Sequence, residues 1–215
     1  MNLPNKITLS RLFIAIAMIV VYCLSFLPNA SSFAPELGTT GFTWIDLVSA
    51  ILFVIGAVSD LVDGKMARSR NLVTNFGKFM DPLADKFLTD GALILLATKQ
   101  TINGSFYIYP FLVILFIGRD LAMDGLRMMA ATRGKVLAAN IWGKVKTVVL
   151  MIVIPFIFLN GFPFNYFDFN GQGNWEYTYV ITNVMAGIAL FFSLLSMVIY
   201  FKQNWQVLKE DEAGE

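Results

Sequence analysis

Apolar residues gather in six stretches along the chain, at about residues 7–27, 44–58, 79–97, 107–117, 145–160 and 177–201. All six read as helices. Several of these apolar cores are shorter than the roughly 20 residues a helix needs to cross a bilayer. Their helices are therefore expected to continue into polar sequence at one end, which must be in contact with water. The fold class this predicts is all-α, an integral membrane bundle of six transmembrane helices.

Charge sharpens the picture. Of the 16 Lys and Arg, only Lys99 falls in the connections at the other ends of the stretches, residues 28–43, 98–106 and 161–176. The rest extend the apolar cores on one side, among them Lys6, Arg11, Arg68, Lys86, Arg119, Arg127, Lys144, Lys146 and Lys202. Under the positive-inside rule that side faces the cytoplasm, with both termini. The first stretch also has the outline of a signal peptide, with Ser32-Phe33-Ala34 as a small-residue cleavage site. Its removal would leave an odd number of spans, so it is expected to remain as the first helix.

Composition agrees with a membrane class: 57% of residues are hydrophobic and 14% charged, far from a soluble domain. With no linker or repeat in view, residues 1–215 are expected to form one domain. The net charge of +1 gives no general basic excess for nucleic acid. Cys23 is the single cysteine and there is no histidine, so any metal site must be built from oxygen ligands.

The densest chemistry lies in Asp60-Leu-Val-Asp63-Gly64-Lys-Met-Ala67-Arg68 and, after eight residues, Gly77-Lys-Phe-Met-Asp81-Pro82-Leu-Ala-Asp85. On helices, positions 60, 63, 64 and 67 share one face, and 77, 81 and 85 share another. Four carboxylates converging at a membrane boundary repel one another unless cations neutralise them. Two divalent ions, Mg2+ or Mn2+, supply that charge and suit carboxylate oxygens. Gly64, Ala67 and Gly77 leave a gap through which a diphosphate could approach the backbone, and Pro82 is expected to kink its helix locally. Taken singly, an Asp at a helix end is commonly a cap and a small residue commonly serves packing. Four acids, three small residues and an arginine in register on consecutive helices have no economical packing explanation.

The pattern Asp60-x2-Asp63-Gly64-x2-Ala67-Arg68-x8-Gly77-x3-Asp81-x3-Asp85 resembles the signature of the CDP-alcohol phosphotransferases at every defined position. The six-span layout is similar over the rest of the chain. The resemblance implies a cytoplasm-facing active-site cavity in which Asp60, Asp63, Asp81 and Asp85 hold two metals. It further implies that Asp85 takes the proton from the attacking hydroxyl, and that Gly64, Arg68 and Thr74 contact the CDP portion of the lipid. Asn5 and Thr8 match a further contact with the lipid nucleotide, and a homodimer is implied as well.

The acceptor must be read from the remaining cations. Arg119-Asp120 ends the fourth apolar core, Arg127 follows, and Gly143-Lys144-Val-Lys146-Thr147 opens the fifth. Each cation alone is a plausible membrane anchor. Together Arg119, Arg127, Lys144 and Lys146 suggest a site for an acceptor phosphate. These segments resemble the branch of the family that joins CDP-diacylglycerol to glycerol 3-phosphate. The alternatives are the same chemistry on serine or an inositol phosphate, a divalent-cation transporter whose aspartates line a route, and a non-catalytic scaffold. The transporter would spread its acids to mid-membrane depth, whereas here they sit at one edge beside Arg68.

Overall fold

The structure, a computed structural model, describes residues 3–30, 34–37, 42–70, 75–101, 104–132, 141–164 and 177–203. Within these, the side chains of 3–7, 60–70, 75–79, 132, 141, 142, 144, 177 and 203 lie outside the description. Among the described residues there are six α-helices and no strand: α1 (Leu3–Cys23), α2 (Trp44–Arg70), α3 (Asn75–Leu96), α4 (Pro110–Thr132), α5 (Ile141–Phe158) and α6 (Tyr177–Gln203). A short 3-10 turn, Leu24–Phe26, follows α1.

The helices outrun their apolar cores where the sequence says they should. The stretch at 44–58 becomes a 27-residue helix reaching Arg70, and the stretch at 107–117 becomes a 23-residue helix reaching Thr132. Each added part carries the polar residues of the candidate site. Pro82 lies inside α3, whose helical assignment continues through it.

One core cluster draws on every helix, with Met18, Phe53, Leu88, Phe116, Ile154 and Ala186 as examples. Helix α1 packs most extensively against α2 and α3, and α5 against α6. The outside is apolar too. Every helix exposes large hydrophobic side chains, including Phe13, Ile55, Ile94, Ile114 at 68%, Ile152 and Phe191 at 63%. A soluble monomer rarely shows apolar surface on this scale, and a bilayer is the solvent that suits it. Two helices, Thr8–Phe26 and Thr178–Lys202, are long and apolar enough to span by composition alone; Trp44–Ser59 and Val145–Phe158 are shorter apolar helices.

At the end of the bundle away from the aspartates, Lys99 explains its own exception to the charge pattern. Its ammonium donates to Oδ1 of Asp46 at 2.5 Å and to the carbonyl of Phe158 at 2.6 Å. Asp46 sits in the first turn of α2 in a reciprocal cap with Thr43: the Thr43 N–H donates to Asp46 Oδ2 at 2.9 Å, and the Asp46 N–H donates to Thr43 Oγ1 at 3.3 Å. An acid at the start of one helix and a cation at the end of another both oppose the helix dipoles. Burial pulls the Lys99 ammonium below its usual range, and the Asp46 charge pushes back. Nearby, in the turn just past α5, Gly161 has a φ of 71° and its N–H donates to the Phe156 carbonyl at 2.8 Å. A Cβ there would fall 2.1 Å from Cγ2 of Thr178, so only glycine closes this turn.

Arg11 departs from expectation. The charge pattern places it among the water-facing extensions of α1, yet only 1% of it is exposed. Its site is inside the bundle, three residues from Thr8.

Candidate active site

In the first half of α3, Asp81 and Asp85 stand four residues apart, both exposed on one helical face. Thr8 of α1 is buried, and its hydroxyl donates to Oδ1 of Asp81 at 2.5 Å. This bond ties the first helix to the aspartate helix across 73 residues of sequence and orients the carboxylate.

Asp85 faces a cavity of about 240 Å³, which Arg119, Arg127 and Lys146 also line. Three of the four cations expected for an acceptor phosphate therefore share one space with the expected base. Arg119, from α4, is held on several sides. Its Nη1 donates to Asp120 Oδ1 at 2.9 Å, its Nε to the Ser193 carbonyl at 3.1 Å, and its Nη2 to Ser196 Oγ at 3.3 Å. Lys146, from α5, donates to the other oxygen of Asp120, and its ammonium lies 6.0 Å from the centre of the Phe116 ring. Lys86, next to Asp85, pairs with Asp124 of α4. Arg127 is exposed and makes no ion pair with the described residues.

The other expected site residues lie outside what the structure describes, wholly or in their side chains. Asn5, Asp60, Asp63, Gly64, Ala67, Arg68, Gly77 and Lys144 have helical backbone, in α1, α2, α3 and α5, but undescribed side chains; Thr74 falls in the undescribed connection. The spacing of Asp60 and Asp63 on a continuous helix still puts them on one face.

Sequence reading missed Asp124, Ser193 and Ser196. Asp120 and Asp124 stand four apart on α4, a spacing that does show in the sequence. The contribution of α6 left no local signal, because it depends on which helices become neighbours. The donor set around α3 is carboxylate oxygen, and the sole cysteine, Cys23, lies at the far end of α1. That chemistry fits a hard divalent cation.

The profile of the family described as CDP-alcohol phosphatidyltransferase matches residues 1–199. The chain belongs to the CDP-alcohol phosphatidyltransferase family. Among curated relatives, the CDP-diacylglycerol–glycerol-3-phosphate 3-phosphatidyltransferase of Bacillus subtilis (strain 168) is 39% identical over 209 residues, covering 97% of both chains. The protein of the same name in Mycoplasma pneumoniae is 34% identical over 97% of this chain and 89% of its own. A plant relative, the CDP-diacylglycerol–glycerol-3-phosphate 3-phosphatidyltransferase 2 of Arabidopsis thaliana, is 33% identical over 77% of this chain and 70% of its own. Membership makes the chain a phosphatidyltransferase and a membrane protein. The transporter and scaffold readings fall with it.

Proposed function

We propose that the protein transfers the phosphatidyl group of CDP-diacylglycerol to glycerol 3-phosphate, giving phosphatidylglycerophosphate and CMP. The observation that carries this reading is the cavity in which Asp85 faces Arg119, Arg127 and Lys146. Its charges suit a phosphomonoester. Lys86 is matched by Asp124, and Asp120 is shared between Arg119 and Lys146, so that the lining cations outnumber the lining carboxylates even with Asp85 included. A phosphomonoester carries close to two negative charges at neutral pH. Guanidinium groups grip its oxygens with charge-assisted, often bidentate bonds.

The bound acceptor would present its free hydroxyl to Asp85. The carboxylate accepts the hydroxyl proton as the oxygen bonds to the β-phosphorus of the lipid, and the bond from that phosphorus to the CMP oxygen breaks. Asp60, Asp63, Asp81 and Asp85 would hold two divalent ions, which neutralise the diphosphate and the departing CMP. Thr8 keeps the Asp81 carboxylate in place for that task. By the family resemblance, Gly64, Ala67, Arg68, Thr74 and Gly77, with Asn5 and Thr8, would contact the CDP moiety.

The protein would cross a bacterial cytoplasmic membrane six times, and the skewed Lys and Arg distribution supports an orientation with the cavity and both termini toward the cytoplasm. The two substrates then meet where the polar acceptor is dissolved. The test is to supply purified protein with CDP-diacylglycerol and, separately, glycerol 3-phosphate, serine, inositol, inositol phosphate and glycerol, and to identify each lipid product. Phosphatidylglycerophosphate should dominate. Equal or better use of an uncharged alcohol would remove the reason for the basic cavity.

A further inference from the structure

We propose that Asp120 is a positioning residue that holds Arg119 and Lys146 side by side for one acceptor phosphate, a role that rests on reading the cavity as the acceptor pocket. An acid in an anion site is at first sight misplaced, because its own charge repels the ligand. The geometry gives it another task. Its two oxygens each accept from a different cation: Oδ1 from Arg119 Nη1 at 2.9 Å, and Oδ2 from Lys146. These cations come from different helices, α4 and α5, and lie 27 positions apart in the chain. Without a shared anion they would repel each other and part.

The donors left over point to the same conclusion. A guanidinium has five N–H groups. Asp120, the Ser193 carbonyl and Ser196 Oγ take one each, from Nη1, Nε and Nη2. One N–H remains on each terminal nitrogen, the pair that can grip two oxygens of a phosphate. Lys146 likewise keeps two of its three N–H groups after serving Asp120. Asp120 is thus occupied by protein cations, while the cations keep donors for a ligand.

The alternative role is charge balance alone, in which Asp120 only offsets positive charge. The two make opposite forecasts. Under positioning, Asp120→Asn loses the anion that gathers Lys146, and the Michaelis constant for glycerol 3-phosphate rises roughly tenfold while that for CDP-diacylglycerol stays within about twofold. Under charge balance, the same variant makes the cavity more positive and the constant falls. Asp120→Glu adds a second check, since it keeps the charge but moves the oxygens. Positioning predicts a raised constant for this variant too, and charge balance predicts the wild-type value. Arg119→Ala, measured alongside, separates this proposal from the pocket reading. If none of the three variants changes acceptor dependence, the pocket reading fails and this proposal with it. If Arg119→Ala raises the constant while both Asp120 variants leave it unchanged or lowered, the pocket stands and the positioning role is overturned. Should Asp120→Asn not fold, Asp120→Glu decides the matter by itself.

Discussion

The two ends of the bundle handle charge in opposite ways. At one end Lys99 and Asp46 close on each other, with the Phe158 carbonyl accepting a second Lys99 N–H and the Thr43 N–H donating to the other Asp46 oxygen, and about a tenth of each side chain is exposed. At the other end Asp120 is divided between two cations, and Arg127 is exposed with no ion-pair partner among the described residues. The first arrangement is complete without any ligand. The second holds positive charge in surplus around a cavity. Buried ions are costly unless fully matched, so a surplus kept at a wet opening marks a place built to receive an anion.

The comparison can be broken most severely at Asp85. Replacing it with Asn should cut turnover by about 10² to 10⁴-fold, the usual range for losing a general base, while CDP-diacylglycerol still binds. Near-normal turnover at saturating metal would reject Asp85 as the base. At the closed end, Lys99→Ala leaves Asp46 buried without its cation and should cost about 3 to 5 kcal/mol of stability, read as a lower unfolding temperature in detergent. The paired change Lys99→Met with Asp46→Leu should recover much of that loss; if the double variant is as unstable as the single one, the pair is more than a matched clamp.

Arg127→Ala should raise the Michaelis constant for glycerol 3-phosphate by about tenfold and leave that for the lipid nearly unchanged, because only the acceptor loses a direct contact. Arg127→Lys should rescue it in part, since charge returns without the planar fork. The smallest effect is expected at Thr8. Thr8→Val removes the hydroxyl that orients Asp81 and should weaken Mn2+ binding by about tenfold, the lower range for losing a partner of a metal ligand. Unchanged Mn2+ affinity by paramagnetic resonance would confine Thr8 to packing.

How much of this was legible beforehand depends on the range of the interaction involved. Helix existence was readable, because six apolar stretches are local signals, and so was the extension of 44–58 and 107–117 into polar sequence. The shared face of Asp81 and Asp85 on α3 was readable from their spacing of four. Long-range pairings were not. Nothing near Lys99 indicates that Asp46, 53 residues earlier, would receive it. Nothing beside Arg119-Asp120 indicates that Asp120 would serve Lys146, or that Arg119 would reach Ser196 on α6. Arg11 looked like a charge at a water-facing helix end and is instead buried, because basic residues carry the same letter whether they anchor a helix or pack inside it.

The hydrogen bonds from Arg119 to the Ser193 carbonyl and to Ser196 also bear on when the protein becomes competent during its synthesis. A chain is made from its N-terminus, and α6 leaves the ribosome after the other described helices. Until α6 has inserted beside α4, Arg119 lacks two of the three supports that set its direction. The aspartates of α2 and α3 are made much earlier than these supports. The direction of Arg119 is therefore set only once α6 has joined the bundle.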